Sequence, residues 1–390
     1  MAKLIEITGK ALSGEWGLED ESKTGIPVLR TTNFTNLGII NYGDVVTRNI
    51  TKKNISEKFL RKGDIIIEKS GGSDKQPVGR VVLFNGEENR FLFNNFTGVL
   101  RVKDREKWVP DYVFYALFAN YRNGGTRKYE NKTTGLHNLK TDLYINNYEI
   151  EWVNIAEQKN ICTALRKIES IISAMNKEIT YLDNLIKARF VEMFGSTNNE
   201  QVKIAELVEQ KISTAKKDFE GDAEIKYIDI SSINNRRNTM TGFTKYKMSN
   251  APSRARQHVQ FGDIIISTVR PNLKNVAMVS MDSDNLVASS GFCVLRPKKC
   301  TSEFLMAIVC SDRFTDAMVN VVTGANYPAI KNSDVLNYCV PLLSEEQQRQ
   351  FANFVTQVDK SKFALSNELA VGNFYIRLIH DCIMHGCINL

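Results

Sequence analysis

The sequence predicts an α+β protein in which two similar mixed α/β globular domains are joined by two long helices packed as an antiparallel coiled coil. Two observations carry this expectation. The second half of the chain repeats the first in the same order, and each half ends in a long heptad pattern. The boundaries follow as 1–154 for the first globular domain, 155–196 for a central helical spacer, 197–343 for the second domain and 344–390 for a C-terminal spacer.

The repeat is legible from end to end. Lys3-Leu4-Ile5-Glu6-Ile7 returns as Lys203-Ile204-Ala205-Glu206-Leu207. Lys62-Gly63-Asp64-Ile65-Ile66 returns as Phe261-Gly262-Asp263-Ile264-Ile265, and Val99-Leu100-Arg101 as Val294-Leu295-Arg296. Thr134-Gly135 returns as Thr323-Gly324, Lys140-Thr141-Asp142-Leu143 as Lys331-Asn332-Ser333-Asp334-Val335, and Ala156-Glu157-Gln158-Lys159 as Glu345-Glu346-Gln347-Gln348. One such match arises by chance; a full ordered set points to duplication.

Within each globular copy, Gly63-Asp64 and Gly262-Asp263 are turn pairs that lead into Ile-rich runs, the pattern of buried strands. Val78–Phe84, Phe93–Val102 and Val276–Ser280 are further β-type runs, and Pro110-Asp111 opens a helical patch to Ala119. Connections rich in Asn, Gly, Thr and Lys separate them.

In the first spacer the seam is Ile161, Leu165, Ile168, Ile172, Met175, Ile179, Leu182 and Ile186, spaced alternately by four and three, and no Gly or Pro interrupts Glu157–Phe194. Such a helix is roughly 55 Å long. The second seam is Phe351, Val355, Val358, Leu365, Leu369, Ile376, Ile379 and Ile383; Lys362 and Gly372 at two of its positions weaken it, and a bend or fraying is expected at Gly372. A long apolar stripe must be buried, and a duplicated chain offers an equivalent partner. Two similar readers on a rod measure distance; half-sites one helical turn apart on DNA lie roughly 34–36 Å from each other.

Composition narrows the class. Hydrophobic residues at 43% and charged residues at 24% describe an ordinary folded protein. The N-terminus lacks an apolar h-region and no run is long enough to span a bilayer. Seven irregularly spaced Cys argue for a reducing, cytoplasmic setting. A net charge of +7 permits nucleic-acid binding without demonstrating it.

On the repeated Gly-Asp strand entry, the Thr-Gly loop before a Lys-rich helix start and the Glu-Gln helix entry with its heptads, the chain resembles the specificity (S) subunit of type I restriction-modification systems. The resemblance covers essentially the whole chain, although the first helix entry, Trp152-Val153-Asn154-Ile155-Ala156, lacks the usual prolines. It implies two target recognition domains reading a bipartite double-stranded DNA site. It also implies two methyltransferase (M) subunits docked on the helices and a restriction/translocase (R) subunit as a further partner. S-adenosylmethionine, ATP and Mg are then expected on the partners, with no cofactor and no metal in this chain.

Phosphate contacts come from Lys and Arg and base contacts from Arg, Lys, Asn, Gln, Ser or Thr. The candidates in the first domain are Arg30, Thr31, Asn33, Lys69, Ser70, Arg80, Arg127, Lys132, His137 and Lys140. In the second they are Asn234, Arg236, Arg237, Arg270, Asn272, Lys274, Asn326, Tyr327 and Lys331. The loops differ between copies, as two different half-sites require.

Catalytic patterns are weak, and no catalytic residue is expected. Pro110-Asp111 with Glu130-Asn131-Lys132 fits a loose nuclease spacing of Mg-holding carboxylates, but Asp111 at a helix start reads as a cap. His380, Cys382, His385 and Cys387 have metal-ligand chemistry, yet 380 and 385 lie about 140° apart on a helix. Ser70-Gly71-Gly72-Ser73 lacks P-loop spacing, no Pro-Pro pair exists for a methyltransferase motif, and His137 and His258 read as loop residues without a nucleophile elbow. The alternatives are a self-contained restriction or methylation enzyme and a protein-binding adaptor.

Overall fold

The computed structural model describes residues 1–133, 136–195, 200–323 and 328–385, with the side chains of 132, 133, 384 and 385 outside the description. It divides into two compact units, Met1–Met175 with Asn367–Leu390, and Asn176–Ser366. Each unit holds one globular domain and one stretch of each long helix.

The expected Ile-rich strands form the centre of each domain. Ile65–Glu68 lies between Thr97–Leu100 and Val81–Leu83 in an antiparallel sheet; Ile264–Ser267 lies in the same way between Phe292–Leu295 and Val276–Met278. Ile65, Ile66, Ile264 and Ile265 are fully buried because both sheet faces are covered. A second sheet in each unit contains a parallel pair, Ile26–Leu29 with Leu92–Phe93 in the first and Glu224–Ile228 with Leu286–Ser289 in the second. The two ends of each globular domain close on each other through short antiparallel pairs, Ala2–Lys3 with Glu149–Ile150 and Gln201–Lys203 with Cys339–Pro341.

The Gly-Asp and Val-Leu-Arg repeats meet in space. Gly63 and Gly262 take φ of 88° and 85°, a left-handed turn that glycine adopts without steric cost. The next residue, Asp64 or Asp263, is buried and receives a two-pronged pair from the repeated arginine. Arg101 Nε and Nη2 donate to Asp64 at 2.7 Å each; Arg296 donates to Asp263 at 2.9 and 2.7 Å. The second carboxylate oxygen also accepts the turn's own N–H, from Arg61 at 2.8 Å or Gln260 at 3.0 Å. The buried charge is thereby paired and hydrogen-bonded, the condition under which it is tolerated.

The helices run Ile155–Phe194 and Glu345–His385. Their entries are alike: Asn154 Oδ1 caps Glu157 N at 2.9 Å, and Ser344 Oγ caps Gln347 N at 3.3 Å. A buried glutamine then ties each entry to the start of an earlier helix of the same domain, Pro110–Arg122 in the first and Ser302–Val309 in the second. Gln158 accepts from Val109 N and donates to Lys107 O, while Gln348 accepts from Thr301 N. Gln158 therefore corresponds to Gln348, one residue beyond the Gln347 that the sequence match paired with it.

In the first unit Ile161 and Leu165, near the start of the central helix, share a core with Ile376, Ile379 and Ile383 near the end of the C-terminal helix. In the second, Ile186, Phe190 and Phe194 at the end of the central helix share a core with Phe351 and Val355 at the start of the other. The pairing is antiparallel in both. No seam position is exposed: Ile161, Leu165, Ile179, Phe351, Val355, Val358, Leu369 and Ile383 are buried and the others half-buried. A fully buried side chain of this size contributes about 1.5–3 kcal/mol.

The C-terminal helix runs unbroken through the two irregular seam positions. A Cβ on Gly372 would sit 3.1 Å from Ile172 Cγ1, so the glycine admits a bulky neighbour. Lys362 reaches Asp183 of the central helix at 2.7 Å and Asp359 at 3.1 Å, so a charge occupies the seam with partners.

Candidate nucleic-acid interface

Strand ends gather the candidates of the first unit at one edge. Glu68 N donates to Arg80 O, Lys69 N to Phe96 O, Leu139 N to Lys69 O, and Asn94 N to Leu29 O. These bonds place Arg30, Lys69, Ser70, Arg80 and the hairpin Glu130–Thr133/Leu136–Leu139 beside each other. Arg127 joins by donating to Asp74 O at 3.1 Å.

Three of the candidates, Asn33, Arg80 and His137, are engaged with groups of their own domain. Asn33 is 2% exposed and gives its amide to Asn41 O and Asp44 O while accepting from Arg30 N. Arg80 donates to Phe34 O and Thr31 O at 3.0 Å and to the buried Glu68, whose carboxyl burial pushes up against the pull of Arg80. His137 is buried between Glu130 at 2.8 Å and Asp74 at 3.5 Å, and Glu130 also accepts from Val78 N. His137 lies in a strand, and His258 ends the strand Ala255–His258, so neither is the loop residue expected. Arg30 is engaged with Asp44 at 3.2 Å, and Thr31 is half-buried. Burial draws the Lys69 ammonium below the ordinary lysine range. Arg127 and Lys140 are exposed; Lys132 lies in the hairpin with its side chain outside the described residues.

In the second unit two loops are bound together. Asn235 Nδ2 donates to Leu273 O and Asn238 Nδ2 to Lys274 O, both at 3.0 Å. Asn234 Oδ1 accepts from Arg236 N and Arg237 N, shaping the first loop. The other loop carries Arg270 and Lys274, both at φ 51°. Such a conformation costs a non-glycine residue of order 1 kcal/mol and persists where surroundings over-determine it. Here Arg270 N is held by Pro328 O, Leu273 N by Arg270 O, and Lys274 by an ion pair with Asp312. Arg236, Arg237, Arg270, Asn272 and Lys331 are exposed, a preorganised basic and amide surface of the kind that meets phosphates and base edges. Asn326 and Tyr327 lie outside the described residues.

The two edges share a backbone frame. The bond from Lys69 N to Phe96 O recurs as Thr268 N to Gly291 O, that from Glu68 N to Arg80 O as Ser267 N to Asn275 O, and that from Leu139 N to Lys69 O as Ile330 N to Thr268 O. The side chains on this frame differ at each position. At these three frame positions the first unit carries Lys69, Arg80 and Phe96 and the second carries Thr268, Asn275 and Gly291.

A family model described as type I restriction modification DNA specificity domain matches residues 2–183 and again 197–370. The chain belongs to this specificity-domain family. It is 21% identical over 308 residues to the type I restriction enzyme MjaVIII specificity subunit of Methanocaldococcus jannaschii, covering 72% of each chain. It is 23% identical over 193 residues to the putative MjaX specificity subunit of the same organism, covering 49% of this chain but only 43% of that one. The fold is similar to a crystal structure of a type I restriction-modification S subunit from M. genitalium, with a TM-score of 0.55, 14% identity and coverage of 98% and 95%.

For this specificity-domain chain the rival chemistries have structural explanations. Asp111 pairs with Arg166 at 2.8 Å at a helix start, and Glu130 is consumed by His137 and Val78. Among the described residues no group of three or more His, Cys, Asp or Glu is placed to hold a metal; the His385 side chain and Cys387 lie outside them. Among them too, no helix is long and apolar enough to cross a membrane. Sequence reasoning missed Asn235 and Asn238, whose role depends on carbonyls 36–38 residues away.

Proposed function

We propose that this chain is the DNA-reading S subunit of a type I restriction-modification complex, each globular domain reading one half of an interrupted target. The observation that carries the proposal is the shared frame with different side chains: one geometry applied twice fits two approaches to DNA, and the exchanged side chains fit two sequences. Catalysis is assigned to partners, with S-adenosylmethionine, ATP and Mg bound there.

The helices offer surface for those partners. Val371, Phe374, Tyr375 and Leu378 are exposed at positions that fall on one helix face, and Ile171, Tyr181, Leu185, Val191 and Phe363 are exposed as well. Uncovered aromatic and aliphatic groups in that pattern suit docking of two methyltransferase subunits and, on the complex so formed, a restriction/translocase subunit.

The test is to assemble the chain with its methyltransferase partner, map methylated sites on plasmid DNA and measure binding against salt. The expected result is one interrupted target, bound with an affinity that falls steeply as salt rises. A continuous target, or methylation or Mg-dependent cleavage by this chain alone, overturns the proposal.

A further inference from the structure

Resting on the function just proposed, we infer that Phe96 is a base-contacting residue of the first domain, its ring covering the C5 methyl of a thymine in that domain's half-site. Phe96 is 55% exposed. With Asn95, also exposed, it forms the tip of a turn whose two ends are deeply buried: Asn94 is 4% exposed and Thr97 fully buried. The ring is held out by a rigid turn. Thr97 N and Oγ1 donate to Asn94 O at 3.1 and 2.9 Å, and Oγ1 lies 3.2 Å from Asn94 Oδ1. Asn94 N is fixed to Leu29 O. On the other side Gly14 approaches so closely that a Cβ there would lie 2.1 Å from Asn94 O.

The backbone of Phe96 has a structural task, accepting from Lys69 N, and that task needs no ring: Gly291 performs it for Thr268 in the second unit. The ring is therefore an addition to one copy of the frame. The Phe96 carbonyl is bonded to Lys69 N, and two residues back Asn94 N is bonded to Leu29 O, just before Arg30 and Thr31, so the turn lies on the edge that carries these candidate DNA contacts. An exposed apolar ring on that edge matches the one apolar group on a base edge of the major groove, the thymine methyl. A preorganised ring also loses little entropy on contact.

The experiment uses the complex with methyltransferase subunits and duplexes carrying the mapped target, with each thymine of the first half-site replaced in turn by deoxyuridine, which removes only the methyl. Phe96→Ala is expected to raise Kd about tenfold, and Phe96→Leu by less, with unchanged melting temperature. One uridine replacement is expected to weaken the wild-type complex severalfold and to have no further effect on Phe96→Ala, while changes in the second half-site penalise both alike. Wild-type affinity in Phe96→Ala, a uridine penalty that persists in it, or a first half-site without thymine overturns this inference alone. A wild-type complex that binds no interrupted target overturns the functional proposal with it.

Discussion

Arg101→Met is expected to destabilise the first unit by about 3–5 kcal/mol, because it leaves Asp64 charged, buried and without its partner. Asp64 is fully buried and Arg101 only 17% exposed, so water cannot replace the two lost bonds. The same change also frees Glu57 O and Phe59 O, which Arg101 ties down at 3.0 and 2.9 Å. All three tryptophans, Trp16, Trp108 and Trp152, belong to the first unit, so intrinsic fluorescence during urea unfolding reports on it specifically. The midpoint of that signal should fall for Arg101→Met and stay unchanged for Arg296→Met, which breaks the equivalent pair of the second unit. Adding Asp64→Asn to Arg101→Met should recover part of the loss, since the neutral amide removes the stranded charge. An unchanged fluorescence midpoint in Arg101→Met would refute the role assigned to the repeated pair.

Acidification from pH 7 to 5 is expected to remove about 2 kcal/mol from the first unit through one residue, His380. Its imidazole is 5% exposed, packs against Tyr115 and Phe118, and has no hydrogen-bond partner at Nε2. Burial, then the Arg122 charge, pulls its pKa down to about 4, against a smaller upward pull from Asp381. The folded value lies below the unfolded one, near 6.5. The contribution is thus constant above about pH 6.5 and is lost as pH falls toward 4, where the unfolded chain takes up a proton that the fold refuses. His380→Phe keeps a ring in the aromatic cluster and should lack this component. The check is urea unfolding by tryptophan fluorescence at both pH values: the wild-type loss should exceed that of His380→Phe by the stated amount. Equal losses would contradict it.

The features legible in the sequence are those whose cause is local. A Gly-Asp turn before Ile65 and Ile264 needs only the positive φ of glycine and an apolar run. The heptad seam needs only its spacing. What escaped is decided by partners far along the chain. Asn33, Arg80 and His137 have the chemistry of DNA contacts, yet they face inward because Asp44, Glu68 and Glu130 wait there. Phe96 is hidden in the β-type run Phe93–Val102; only the turn Asn94–Thr97 inside it throws the ring outward. Lys362 and Gly372 read as defects until Asp183 and Ile172 are seen opposite them. Gln348 was displaced by one residue because neighbouring glutamines are indistinguishable without Thr301 N.

The central claim is that two copies of one frame read separate half-sites. It is tested most directly by replacing residues 1–154 with the corresponding domain of a family member of different specificity, and sequencing the methylome laid down by the assembled complex. One half of the methylated sequence should change while the other half and the intervening gap stay the same. A change in both halves, or a methylated sequence without a gap, would contradict the account.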